Sequence, residues 1–147
     1  MPTRHQWQSR IKAVEREYVA MRQAADRFLE QAQRDPTILL EDLRHGEIVT
    51  ASRNLEGTYI MRLFAEFETG ARQYWDATWG TDIKTYNLFE ALAARRSIPD
   101  TDLENGHRVR DFRNSLVHER EDQPEPLEVA VARKYLCTFF SYLPVQW

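Results

Sequence analysis

The chain has 147 residues, of which 42% are apolar and 29% charged, and its formal net charge is −3. This length predicts a single globular domain over residues 1–147 that buries about two-thirds of its unfolded surface without disulfides or a structural metal. The acidic balance argues against a protein coated in basic charge for nucleic acid, although residues 95–96 and 108–113 contain local clusters of arginine.

The cysteine content and the hydropathy pattern indicate a cytoplasmic protein. The single Cys137 lies in an apolar run, cannot form an intrachain disulfide and is expected to be a small buried hydrophobe. No charged and apolar leader precedes a small-residue cleavage site, and no apolar run approaches the roughly 20 residues that span a bilayer. We therefore expect neither export by a visible signal nor insertion into a membrane.

The first part of the chain predicts a long amphipathic helix. Residues 5–33 lack Gly and Pro, and apolar residues recur there at spacings of three and four. The apolar seam consists of Trp7, Ile11, Val14, Tyr18, Met21, Ala25 and Phe28. It is expected to pack within its own bundle, although such a seam could also bind another chain. Pro36 ends this helix, and residues 37–45 predict a short helix that Gly46 stops.

Three further helices are predicted around a motif helix that is described below. One begins between residues 50 and 58, near Gly57, and runs to about residue 78, with Glu68 and Arg72 as a surface pair. Another covers residues 86–95, and the last runs from about residue 125 to residue 143. No segment shows strand alternation, so the predicted fold is all-α, an up-and-down bundle of four to five main helices.

The motif helix is predicted to start near residue 102 and to end after residue 118. Residues 101–104 fit a capping box, in which Thr101 and Glu104 satisfy the first free N–H groups of the helix. Gly106, after an asparagine, could kink the helix or move its start to residue 107. His118 is predicted to lie in the last helical turn.

At about 100° per residue, the second half of the motif helix has two different faces. The apolar arc consists of Val109, Phe112 and Leu116. The polar stripe consists of Arg110, Asn114 and His118, at positions i, i+4 and i+8. Arg113 lies at the edge of the apolar arc and can reach the stripe with its flexible stem. A cation, an amide and an imidazole are therefore predicted to meet beside the core.

These residues do not predict a metal site or a serine nucleophile. The four histidines show no i, i+4 pairing, and no cysteine cluster accompanies them. His107 and His118 share a helix face but lie roughly 16 Å apart at 1.5 Å per residue, too far for one ion to bridge. Ser115 points away from the polar stripe, and no oxyanion loop is visible. No glycine-rich phosphate loop is present either, so no cofactor is expected.

Metal-independent cleavage of RNA is the chemistry that the motif helix could carry. Attack by a ribose 2′-OH needs a base, an acid and a cation for the phosphorane. His118 could transfer protons, Arg113 could hold phosphate oxygens, and Asn114 could orient either group. Arg110 is a candidate for binding substrate phosphate. One helix supplies too few groups, whereas two copies related by a twofold axis supply two histidines and two arginines. The alternative is that Arg113 and His118 only cap or pair within the bundle.

At these residues the sequence resembles the HEPN superfamily (higher eukaryote and prokaryote nucleotide-binding domains). That all-α family carries an Arg, usually followed by a polar residue, and a His after four to six intervening residues. The matching motif here is Arg113-Asn114-Ser115-Leu116-Val117-His118. The order of a short helix, the motif helix, a charged loop and a final apolar helix within residues 56–143 is also similar.

The resemblance implies a helical homodimer whose motif helices face each other, and frequently a metal-independent endoribonuclease that acts as a toxin or in antiviral defence. On that basis Arg113 and His118 are catalytic, and Asn114 supports them. One toxin subgroup, which is paired with nucleotidyltransferase antitoxins, has Tyr two residues after the His, where this chain has Arg120. The chain departs from that subgroup at this position, so the resemblance does not imply a nucleotidyltransferase antitoxin. An antitoxin or sensor protein is a candidate partner.

A non-catalytic HEPN-like dimerisation or protein-interaction domain is the competing function. Some members of the family have lost activity and serve as scaffolds, whereas all three motif residues are present here. The complete motif favours the enzyme. The acidic balance and the long N-terminal seam favour an interaction domain whose seam binds another protein.

Overall fold

The computed structural model describes residues 2–39, 42–118 and 122–147, which form five α-helices and contain no β-strand. The prediction of an all-α bundle is therefore confirmed. The helices are α1 (Arg4–Arg34), α2 (His45–Thr78), α3 (Thr85–Arg96), α4 (Asp100–Val117) and α5 (Val129–Ser141). None of these five helices is both long enough and apolar enough to cross a membrane.

Helix α1 begins at a capping box and ends before a proline. Thr3 Oγ1 accepts the backbone N–H of Gln6, while Gln6 Oε1 accepts the N–H of Thr3 at 2.7 Å. Pro36 then forms a 3₁₀ turn, Pro36–Ile38. The first half of the predicted seam faces inward, because its members Trp7, Ile11 and Val14 are buried. Further along, Met21 is 46% exposed.

Helix α2 begins earlier than predicted. It starts at His45, so Gly46 lies in its first turn and does not stop a preceding helix. The start is stabilised because the N–H of Arg44 donates to the Glu47 carboxylate at 3.2 Å. Gly57 lies inside α2, where a Cβ would meet the Leu116 side chain at 3.2 Å. The short helix predicted over residues 37–45 is wrong for its described residues, which contain only the end of the 3₁₀ turn and the first residue of α2. Residues 40 and 41 lie outside the described chain.

Helices α1 and α2 run antiparallel, and α5 packs against both of them and against α4. The Trp7 indole donates to the Gln73 side chain at 3.0 Å near one end of the α1–α2 pair. The Arg22 guanidinium donates to the carbonyl of Ser52 at 2.9 Å toward the other end. These two contacts fix the register of the pair and support an up-and-down arrangement.

A single hydrophobic core draws residues from all five helices. Its centre is an aromatic cluster on α2, α3 and α5 that consists of Phe64, Phe67, Phe89, Phe139 and Phe140. The core stops well short of the α1–α2 connection. Of the described residues between 19 and 58, only Ala32 is buried. The far halves of α1 and α2 therefore form a two-helix extension beyond the body.

The predicted capping box of α4 does not form. The helix starts at Asp100, and the carbonyl of Pro99 accepts the N–H groups of Asp102 and Leu103 at 3.0 Å each. Thr101 therefore lies within the first turn of α4 and is not its N-cap residue, which is Pro99. Gly106 neither kinks nor starts the helix; it is buried where a Cβ would lie 2.7 Å from the Phe89 ring.

The two remaining helices differ in how well their ends were predicted. Helix α3 extends the predicted 86–95 by one residue at each end and stops at Ser97, which has a φ of 53° in the left-handed region. Helix α5 begins at Val129, four residues after the predicted start. Pro126 disfavours the α conformation only at residue 125, and the backbone is still extended at the N-cap residue Glu128, with φ −70° and ψ 149°.

Candidate active site

Arg113 and Asn114 lie side by side near the C-terminal end of α4. Arg113 Nη1 donates a hydrogen bond to Asn114 Oδ1 at 3.0 Å. The guanidinium carbon of Arg113 also lies 5.4 Å from the centre of the buried Phe64 ring on α2, and a ring face attracts a cation. The structure thus holds the arginine of the motif beside its amide at the edge of the core.

The outer edge of the Arg113 guanidinium, which Nε and Nη2 form, makes no hydrogen bond or ion pair with the described residues. By contrast, Arg133 on α5 pairs with Glu15 on α1, as an arginine that joins two helices usually does. Two parallel N–H groups on one edge are what bidentate binding of a phosphate requires. Arg113 therefore has a position, and two donors with no partner among the described residues, that suit the binding of an anion.

His118 follows the last residue of α4 and does not lie within its last turn, so that prediction is wrong by one residue. Its backbone is extended, with φ −121° and ψ 131°, and its N–H donates to the carbonyl of Asn114 at 3.0 Å. Its imidazole is exposed and makes no hydrogen bond with the described residues. The backbone bond fixes the start of the departing chain next to Asn114, while the ring stays accessible.

Arg110 belongs to a different group of side chains from the rest of the predicted stripe. Its Nε donates to His107 Nδ1 at 3.2 Å, and its Nη2 pairs with Asp111 at 2.8 Å. Its guanidinium carbon lies 5.1 Å from the centre of the Tyr86 ring. Only 17% of the Arg110 side chain is exposed. The predicted stripe is therefore divided between a bonded cluster and the end of the helix.

His107 is the centre of that cluster, which the sequence pattern did not reveal. Its Nδ1 accepts a hydrogen bond from Arg110, so the ring proton lies on Nε2 and is donated to Glu90 Oε1 at 2.9 Å. The ring stacks on Tyr86 with centroids 4.7 Å apart and an interplanar angle of 21°. The available signals were the i, i+3 spacing of His107 and Arg110 and the i, i+4 spacing of Tyr86 and Glu90, but neither indicates which helices pair.

An open groove of about 460 Å³ lies on the apolar side of the α4 end, between α2 and the segment before α5. Its lining includes Arg53, Gly57, Met61, Phe112, Leu116 and Leu127. Leu116 is 38% exposed and Val117 is 52% exposed, although both are apolar. An exposed apolar surface therefore directly precedes His118.

The described residues contain neither a metal site nor an activated cysteine. Among residues 2–39, 42–118 and 122–147, no group of three His, Cys, Asp or Glu side chains could hold a metal ion. Burial raises the pKa of the Cys137 thiol above its ordinary value. A thiol with a raised pKa stays protonated at neutral pH and is a poor nucleophile.

The chain matches no family model, no curated protein and no solved structure. Function is therefore inferred from the side chains at the end of α4. There an anchored arginine with free donors lies close in sequence to an exposed histidine.

Proposed function

We propose that the chain is a HEPN-type endoribonuclease that cleaves RNA without a metal ion and acts in the cytoplasm as a toxin or an antiviral-defence effector. The observation that best supports this proposal is the state of Arg113. Its guanidinium is held by Asn114 and Phe64, has one edge with no hydrogen bond or ion pair to the described residues, and lies just before the exposed His118. A purely structural arginine would be expected to use that edge within the bundle.

The proposed reaction is a transesterification at phosphorus. One His118 removes the proton from a ribose 2′-OH, and the 2′-oxygen forms a bond to the phosphorus while the bond to the 5′-oxygen breaks. A second His118 donates a proton to that leaving oxygen. Arg113 binds the negative charge that builds up on the phosphorane, and Asn114 keeps Arg113 in place. The products are a 2′,3′-cyclic phosphate and a 5′-hydroxyl.

A homodimer completes this site, because one copy offers a single exposed motif histidine and one imidazole cannot be base and acid in the same step. The exposed Leu116 and Val117 support a second copy as the partner. A twofold axis beside them would bury both apolar side chains against their own symmetry mates and bring the two His118 rings to one groove. An antitoxin or sensor protein would restrain the enzyme by covering the same surface.

The direct test is cleavage of mixed RNA by purified protein in EDTA, with His118→Ala as the matched variant. We expect the wild type alone to cut, leaving cyclic phosphate ends. Equal activity of both proteins, or none from either at high concentration, would contradict the proposal. Light scattering tests the dimer independently, and a strict monomer at micromolar concentration would remove the composite site.

A non-catalytic interaction domain is the second candidate, and the two-helix extension is the feature that favours it. On α1 the seam residue Met21 is 46% exposed and Val19, which lies beside the seam, is 52% exposed, whereas the seam residues Trp7 and Ile11 are buried in the body. Only the outer half of the predicted seam is thus available to another protein. If this candidate is correct, the wild type does not cleave RNA, and serine at positions 19 and 21 abolishes partner binding while His118→Ala preserves it.

A further inference from the structure

Tyr86, in the second position of α3, exposes 51% of its surface although it carries a large aromatic ring. One side of the ring is covered by α4. His107 stacks there at 4.7 Å, and the Arg110 guanidinium carbon lies 5.1 Å from the ring centre. Arg110 Nε is hydrogen-bonded to His107 Nδ1 at 3.2 Å, so both neighbours lie on the same side of the ring, and the 51% exposure of Tyr86 leaves its other face to the solvent.

The exposed ring is held in place by a network of fixed side chains. His107 is bonded through both ring nitrogens, to Glu90 on one side and to Arg110 on the other. The buried Phe89 supports the back of the imidazole at 5.2 Å. The side chains around Tyr86 are already ordered, so the binding of a flat ligand to the ring costs little side-chain entropy, and this favours affinity.

We propose that the free face of Tyr86 is a stacking subsite for one unpaired base of RNA. The inference rests on the proposed function in taking RNA as the ligand, but not on cleavage. Single-stranded RNA is commonly bound by stacking its bases on aromatic side chains. Arg110 lies about 12 Å before His118 along α4, a distance that three or four stacked nucleotides span at about 3.4 Å each. The stacked base thus belongs to a nucleotide a few positions from the cleaved bond.

The charges around Tyr86 favour contact with a base over contact with the phosphate backbone. The neighbouring Arg110 is already paired with Asp111, and Glu90 adds a second carboxylate. Binding to phosphates releases counterions and weakens steeply with salt, whereas stacking does not. The contribution of Tyr86 to affinity should therefore be nearly independent of salt.

The test compares Tyr86→Leu with Tyr86→Phe, both in the His118→Ala background so that no RNA is cut. Fluorescence anisotropy measures the binding of a labelled single-stranded ten-nucleotide RNA. We expect Tyr86→Leu to weaken binding about five-fold or more, the size of one base stack, and Tyr86→Phe to retain the wild-type affinity. The ratio of the two affinities should be the same at low and high salt. On a fully abasic oligonucleotide of equal length, the two variants should bind equally.

Equal affinities of the leucine and phenylalanine variants for the RNA would overturn the subsite, and so would a difference that persists on the abasic oligonucleotide. Failure of the parent protein to bind RNA at all would overturn it too. Loss of affinity in Tyr86→Leu without any cleavage by the wild type would keep the subsite and remove the ribonuclease. If the wild type cleaves RNA but the leucine and phenylalanine variants bind it equally, the ribonuclease is kept and the subsite is removed.

Discussion

His107 and His118 belong to the same stretch of chain, yet their surroundings are opposite. The His107 side chain is 15% exposed, is bonded through both nitrogens and is stacked on Tyr86. The His118 ring is exposed and has no hydrogen bond to the described residues. A histidine whose nitrogens are both engaged cannot exchange a proton with a substrate unless it first breaks those bonds. The proposed proton transfer is therefore expected of His118, which lies outside the network.

The two arginines near these histidines, Arg110 and Arg113, differ in the same way. Arg110 donates hydrogen bonds from Nε to His107 and from Nη2 to Asp111. Arg113 uses only Nη1, on Asn114, among the described residues. Helix α4 thus has two parts. In the bonded segment, around His107 and Arg110, the polar side chains are hydrogen-bonded to one another and to α3. In the free segment, from Arg113 to His118, the outer edge of Arg113 and the His118 ring make no hydrogen bond with the described residues. Structural roles are expected at the first segment and chemistry at the second.

Replacing each histidine of this pair by alanine should give the largest effects and should separate the two roles. Loss of His118 is expected to lower the rate of RNA cleavage by about 10²–10⁴-fold, the usual contribution of a general acid or base. Its melting temperature should stay unchanged, because the side chain is exposed. Loss of His107 removes the hydrogen-bond partner of Arg110 Nε and of Glu90 Oε1 and should destabilise the fold by about 1–3 kcal/mol, while much of the activity is retained.

Cleavage rates under single-turnover conditions and thermal melts of the same preparations check this pair of expectations. The comparison fails if His107→Ala removes activity without lowering the melting temperature. That result would indicate that His107, within the network around Glu90, is the residue that transfers the proton.

Replacing Arg113 by lysine should have the next largest effect. Lysine keeps the charge but loses the edge that binds two phosphate oxygens, so the rate should fall by about 10²-fold or more, as on removal of an oxyanion donor. Arg110→Lys is the matched control, for which we expect a small loss of stability and little loss of rate.

The predicted phosphate contact of Arg110 is tested in the same series by the salt dependence of RNA binding. Arg110→Ala would flatten that dependence if the contact exists. An unchanged slope would count against Arg110 as a phosphate ligand, and near wild-type rates for Arg113→Lys would contradict the bidentate role of Arg113.

Gly106→Ala tests how closely the bonded segment of α4 is packed. The new methyl group would lie 2.7 Å from Phe89 and 3.4 Å from Phe139, two fully buried rings. We expect a loss of about 1–3 kcal/mol in the free energy of unfolding, as for other overpacked sites. Gly46→Ala is the control with the opposite sign, because nothing lies within 4 Å of its Cβ and alanine favours a helix. Urea denaturation measures both, and a stabilised Gly106→Ala would refute this account of the packing.

Apolar periodicity was sufficient to predict the helical fold but not the role of its glycines. The 3–4 spacing of residues 5–33 predicted α1 almost to its ends, because burial of Trp7, Ile11 and Val14 repeats with the helix. The predicted start of α2 is too late, because the sequence pattern treats Gly46 as a helix stop and Gly57 as a mark of an uncertain start. Gly57 instead provides space for Leu116 of α4. That requirement depends on which helices meet, and local spacing carries no information about it.

The candidate site could be predicted only in part, for the same reason. Arg113 and Asn114 are neighbours in the sequence, so their contact follows from helix geometry. The network around His107 depends on Glu90 and Tyr86, which α3 contributes. Helices α3 and α4 pack closely where Gly106 meets Phe89, and in this arrangement Arg110 bonds to His107 and is separated from the rest of the predicted stripe.

Tyr142→Phe should have the smallest effect, since it acts at the end of α4 that lies farthest from His118. The Tyr142 hydroxyl donates to Asp102 at 2.7 Å, and this bond raises the pKa of Tyr142 above its ordinary value. A raised pKa means that folding favours the protonated hydroxyl. The contribution is therefore complete below the unfolded pKa of about 10 and is lost as the pH rises through the folded pKa.

The phenylalanine variant should be slightly less stable than the wild type at neutral pH, and the difference should shrink at about pH 11, with cleavage at neutral pH unchanged. Urea midpoints of both proteins at the two pH values measure this. A difference that stays constant with pH would mean that the hydroxyl contributes through packing and not through its bond to Asp102. A change in cleavage at neutral pH would show that the two ends of α4 are coupled, contrary to the division of the helix into a bonded and a free segment.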